Sequence, residues 1–207
     1  MLQPNPLGGP KRKWIGKMNV QHVNVKFFVD GELNVDWERF IEVFHVWIAE
    51  QSTDELLIDV ADYRHVPMGP GVILVGHEVD YSMDNTANQP GLRYNDKIER
   101  EGSAEDHFRN ALRSAAKACL RLETEVAGLK FDRSRFQFLI NDRALAPNND
   151  ATRQACQQDL PEILANILGA GEYDLQFDTD PRNLFGGVVS VPSPVDFESL
   201  AASSVAG

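Results

Sequence analysis

The side chains of this chain that could do chemistry gather in one stretch, Leu56 to Asp84, LLIDVADYRHVPMGPGVILVGHEVDYSMD. It holds Asp59, Asp62, His65, His77, Glu78, Asp80, Tyr81 and Asp84. Imidazole and carboxylate together suit zinc, manganese or iron, and residues at strand ends can converge on an ion without helical spacing. The candidate ligand or metal residues are therefore Asp59, Asp62, His65, His77, Glu78 and Tyr81, with a divalent metal as the compatible cofactor. The spacing matches no established metal pattern. His77-Glu78 is followed by Val79-Asp80-Tyr81, so there is no HExxH, and no DxDxDG loop is present. The competing reading makes Asp59 and Asp62 acceptors for nearby loop amides, His77 a satisfied half-buried residue, and the remaining acids solvated.

Other chemistries leave less trace. A hydrolase of the serine type would show a GxSxG elbow, and none exists. Gly69-Pro70-Gly71 and Gly186-Gly187 match neither a dinucleotide fingerprint nor a phosphate loop, and Pro70 removes an amide donor such a loop would use. Cys119 and Cys156 fall in separate predicted helices and read as two reduced thiols. Arg109, Arg113, Lys117 and Arg121 recur at steps of four and form a basic lane on one helix. Glu105 and Glu125 can pair with its two ends. Arg113 and Lys117 have no helical partner, which makes them the candidate contacts for an acid of this chain, a second subunit or an anion.

The elements that must position these groups follow from periodicity. Val23–Val29 alternates as a strand and ends at Asp30-Gly31. Asp36 is an N-cap for a helix whose Trp37, Phe40, Ile41, Phe44, Trp47 and Ile48 make a wide apolar face, with His45 at its border. Leu56–Val60 and a second run from Val72 through Tyr81 read as buried strands separated by a turn at Pro67 and Gly69-Pro70-Gly71. Alternation then places Ile73, Val75, His77, Val79 and Tyr81 on one face. Gly91–Asn95 is another short strand. Ser103 and Asp106 open the longest helix, to about Glu125. Phe136–Ile140 is a strand, a broken helical region spans 150–168 with a new first turn at Asp159, and strands at Tyr173–Phe177 and Val188–Val191 close the chain.

Two segments repeat this order. Val25 to Val75 and Phe136 to Val191 each read strand, turn, amphipathic helix, strand, loop, strand, with FFVDG echoing FLIND. The expected fold class is α+β, with two related strand-helix-strand-strand halves, 23–100 and 130–191, joined by the helix at 103–125 in a mixed or antiparallel sheet. Residues 1–20 read as a basic flexible arm, 21–191 as a single domain, and 192–207 as a C-terminal tail whose Phe197 and Leu200 could anchor on a partner. The stretch LIDVADYRHVPMGPGVILVGHE resembles an uncharacterised bacterial protein family of unknown function. That resemblance implies no activity, cofactor or site residue.

Charge narrows the function classes. The 207 residues carry a net −11, and residues 1–17 hold Lys11, Arg12, Lys13 and Lys17 with no acid, which leaves −15 on the rest. A negative body disfavours phosphate backbones and anionic membrane surfaces. No run of 18 apolar residues is present, and the first residues lack a secretory hydrophobic segment, so the expectation is a cytoplasmic protein with no nucleic-acid partner and no membrane insertion. With no catalytic signature, the expected function is a binding or assembly protein forming a homo-oligomer or partner complex. The alternative is an enzyme or metal-binding protein using His65, His77 and Glu78.

Overall fold

The computed structural model describes residues 18–203. Eight strands form one antiparallel sheet: β1 (Val23–Val29), β2 (Leu57–Tyr63), β3 (Gly71–Gly76), β4 (Val79–Asp84), β5 (Gly91–Asp96), β6 (Phe131–Ile140), β7 (Asp174–Phe177) and β8 (Phe185–Ser190). Their order across the sheet is β2-β3-β4-β5-β1-β6-β8-β7. Four helices accompany them: α1 (Trp37–Glu50), α2 (Ala104–Glu125), α3 (Asp150–Leu168) and α4 (Phe197–Ala202). The class is α+β. The two halves are β1-α1-β2-β3 and β6-α3-β7-β8, with α2 between them. In each, the strand after the helix lies at the sheet edge and the next one lies inside it, while β1 and β6 adjoin at the centre. The β4–β5 hairpin, present only in the first half, separates β3 from β1.

Alternation along the strands sorts the sheet into two faces. Val25, Phe27, Leu74, Tyr81, Tyr94 and Phe138 lie on the face that the helices cover, and each is at most 2% exposed. On that face, Phe108 of α2 packs edge-on against Phe138 with ring centroids 5.7 Å apart, and Phe197 of α4 meets Phe27 at 4.6 Å. α1 begins at the Asp36 cap, whose carboxylate accepts from the Glu38 amide, and buries Phe40, Val43, Phe44 and Trp47. α2 starts on a capping box, with Ser103 and Asp106 satisfying each other's amides. The other face carries Asn24, Lys26, Ser82, Asp84, Arg93 and Gln137.

Several expectations need correction. The run from Val72 through Tyr81 is two strands, because the chain reverses at His77-Glu78 and pairs Val75 with Asp80. Gly76 permits the reversal: a Cβ there would run into the Val79 carbonyl. His77 therefore leaves the Ile73 and Val75 face and sits exposed in the turn. The first run, β2, is an edge strand with Ile58 and Tyr63 exposed, since a β-branched run alone does not separate edge from centre. α3 is one continuous helix with Pro161 inside it, not a broken pair. Residues 192–203 do not trail away: Phe197 and Leu200 are buried in their own domain, with α4 lying on α2. Met18 and Val20, expected in the arm, are likewise buried in the domain. The expected arm at 1–17 lies outside the described residues.

Both cysteines are buried, and burial pushes the thiols up, Cys156 to about 12. A thiol reagent at neutral pH should modify neither in the native protein and both after denaturation. Fast modification of the native protein would contradict this placement.

Candidate functional site

The fold disperses the sequence-predicted site. His65 follows the end of β2 and His77 follows the end of β3, so the two histidines stand at opposite ends of one hairpin, roughly 20 Å apart at about 3.3 Å per residue. His65 is exposed and stacks on Tyr63 at 6.2 Å between ring centroids. Glu78, beside His77, faces Arg100 at 3.5 Å. Asp59 accepts from the Val60 amide, and Asp62 holds Arg64 through both oxygens, which keeps its carboxyl at about 2. Tyr81 lies on the opposite, buried face. Among the described residues, no group of three or more His, Cys, Asp or Glu is arranged to hold a metal ion.

Three sequence-predicted residues do meet, where α2 crosses the loop between α1 and β2. Lys117 donates to Asp54 at 2.7 Å, Arg113 lies 3.3 Å from the same carboxylate, and the Tyr81 hydroxyl donates to Glu55 at 3.1 Å. The Lys117 and Arg113 charges pull the Asp54 carboxyl below its usual value. Next to them, Arg121 bonds Glu50 and Glu125 at 2.6 Å each and lies over the Trp47 ring, whose indole N–H donates to Glu125. The cavity enclosed by Trp47, Glu55, Tyr81, Ser114, Lys117 and Arg121 is about 80 Å³. That space admits a few waters and is well below what a drug-sized ligand occupies. The basic lane is thus spent on acids of its own chain, and it clamps the loop at 51–56 onto α2.

A second polar cluster, which sequence reasoning missed as a unit, lies at the centre of the sheet's other face. Lys26 on β1 and Asp84 on β4 are 2% and 0% exposed and form an ion pair at 2.6 Å, although β5 runs between their strands. The lysine crosses β5 at Gly91, where a Cβ would stand 2.9 Å from Lys26 Cε. Arg93 pairs with the other Asp84 oxygen at 3.1 Å and sits directly opposite Lys26 in the sheet. Thr86 donates to the same carboxylate through its amide and hydroxyl. Burial pushes the Lys26 ammonium below the usual lysine range; Asp84 opposes that and Arg93 adds to it. Lys26 within VNVKFFV was the sequence signal, since a lysine in an otherwise apolar strand needs a partner. With its ammonium enclosed and bound to a carboxylate, Lys26 is not presented to a ligand.

A larger cleft of about 270 Å³ opens between the start of α2 and α3, with Glu105, Asp159 and Glu162 in its wall, and the Met18 amide donates to Asp159 at its margin. Among the described residues, β2 and β7 are the edge strands of the sheet, with no strand on their outer sides. Exposed large apolar side chains among the described residues are Val46, Leu56, Ile58, Tyr63, Val66 and Met68, and five of these six fall between residues 56 and 68. No helix among the described residues is long and apolar enough to cross a membrane. No protein-family model matches the chain, and no curated protein matches it either.

Proposed function

We propose that this chain is a protein-binding and assembly domain that associates through the outer edge of β2. The concentration of exposed apolar side chains on 56–68 carries the reading. An edge strand presents a row of unpaired amides and carbonyls, and native sheets ordinarily shorten or charge such edges. β7, the opposite edge, follows that rule: it is four residues long, opens on Asp174 and is followed by Asp178 and Asp180. β2 is seven residues long and flanked by Leu56, Val66 and Met68; its own acids, Asp59 and Asp62, accept from the Val60 and Arg64 amides. Strand addition to such an edge gives affinity through backbone hydrogen bonds and specificity through alternate side chains.

Ile58→Lys tests this. Ile58 is 53% exposed, so the variant should keep its stability to within about 0.5 kcal/mol. In native cell extract, the tagged wild-type chain should migrate as a complex larger than one chain, and I58K as a single chain. An unchanged size distribution for I58K would overturn the reading.

A further inference from the structure

We infer that Met68 is an oxidation-sensitive position: its thioether takes one oxygen atom from a peroxide, and the sulfoxide removes the apolar surface that the loop after β2 presents. The regulation this implies rests on the edge-binding reading above; the modification site does not. Exposure selects the residue. Met68 is 54% exposed, whereas Met18 is 5% and Met83 0% exposed. Cys119 and Cys156 are buried as well. Met68 is thus the accessible sulfur among the described residues, and Met1 lies outside them. A thioether has no proton to lose, so access rather than ionisation governs its encounter with peroxide. A sulfur lone pair attacks one oxygen of hydrogen peroxide, the O–O bond breaks as the S–O bond forms, and water leaves. Sulfur gives up two electrons and the peroxide takes them.

The loop holds that sulfur outward on a fixed backbone. The Val66 amide donates to the Tyr63 carbonyl at 2.9 Å, the Gly69 amide to Val66 at 3.1 Å, and the Asn85 amide to Gly69 at 3.1 Å. Met68 itself has a φ of 52°, in the left-handed region where a side chain costs free energy and glycine is the ordinary occupant. Its side chain does not pack on the core. It stands instead beside Tyr63 and Val66, 42% and 40% exposed, as the most exposed part of an apolar tip. Oxidation turns a flexible apolar side chain into a polar one with a strong acceptor oxygen. At this position the change falls on the surface and leaves the core packing as it is.

The experiment treats the purified full chain with hydrogen peroxide at neutral pH and follows each methionine by peptide mass spectrometry. Met68 should gain its oxygen about tenfold faster than Met18 or Met83. The oxidised chain should elute earlier from a hydrophobic-interaction column, and Met68→Gln should do so without oxidant. Met68→Leu keeps the apolar surface and should not shift on oxidation, which separates Met68 from Met1. Oxidation of Met18 or Met83 as fast as Met68 overturns the site. Unchanged retention of wild type oxidised at Met68, or an equal shift in M68L, overturns the loss of apolar surface. Added to native extract, oxidised wild type and M68Q should run as single chains, while M68L treated with peroxide stays in the larger complex. A complex that survives Met68 oxidation overturns the regulation. I58K then decides the edge reading separately: if I58K runs as a single chain, the edge binds without help from Met68, and if its size distribution is that of wild type, the edge reading falls while the peptide map still decides the modification site.

Discussion

Asp84→Ala should lower the free energy of unfolding by roughly 3–5 kcal/mol, the cost of leaving a buried charge without its partner. Asp84 is fully buried, accepts three hydrogen bonds, one from Lys26 and two from Thr86, and pairs with Arg93 at 3.1 Å. Its removal leaves Lys26 and Arg93 facing each other across adjacent strands, a buried ammonium beside a guanidinium that is 18% exposed, with no carboxylate between them. Lys26→Met should cost less, because Arg93 and Thr86 still hold Asp84 and the apolar stem over Gly91 is retained. The order, D84A worse than K26M, distinguishes an electrostatic cause from a packing cause, since methionine removes only the charge while alanine uncovers it. Urea unfolding with a common slope measures both. A D84A variant within about 1 kcal/mol of wild type would mean that water reaches the cluster and the pair is not truly enclosed.

This cluster shows where the sequence was legible and where it was not. Local signals worked. The Asp36 cap, the Ser103 and Asp106 box and the 3.6-residue apolar spacing of α1 and α2 depend on residues within one turn of each other, and the structure has them where expected. The order of elements in the two halves was also readable, because a strand-helix-strand-strand series is written along the chain. Strand position across the sheet was not. β2 and the run at 72–75 have similar β-branched composition, yet one ends at the edge and the other inside, a difference set by which strands come to lie beside them.

The candidate site failed for a related reason. His65 and His77 are near each other in sequence, but a hairpin separates by its full length two residues that follow successive strands. The single glycine at position 76 was the only local mark of the turn that does this. Asp84 and Lys26, by contrast, are 58 positions apart and meet only because the β4–β5 hairpin folds back against β1. Arg113 and Lys117 lacked a helical partner, and acids of this same chain were one of three options for them. Asp54, 63 positions before Lys117, is the acid that both meet.

The helix-covered face yields the second large effect, at high pH. The Tyr81 and Tyr94 rings pack edge-on at 5.5 Å, both are buried, and their hydroxyls bond Glu55 and Asn110. Burial, then the nearby carboxylates, raises both phenols above the ordinary tyrosine value of 10.0. The unfolded chain ionises them near that value while the folded chain keeps them protonated, so the stability they contribute is complete below pH 10 and is lost as pH rises past it. Two protons held only by the native state give a slope of about −2.7 kcal/mol per pH unit. Lys26 runs the other way. Its lowered value means the unfolded state holds the extra proton, so its contribution to stability rises with pH up to about 10.5 and then stops. The buried thiols share the tyrosines' sign from about pH 9. A comparison made above about pH 10.5 therefore isolates the phenols when wild type is set against Tyr81→Phe/Tyr94→Phe, which keeps the rings and the thiols. The double variant should be the less stable protein at pH 7, having lost two hydroxyl bonds, and should fall less steeply by about 2.7 kcal/mol per pH unit in the alkaline limb. Parallel limbs for the two proteins would show that the phenols ionise as readily folded as unfolded, and that the Tyr81 and Glu55 contact at the base of the clamp is open to water.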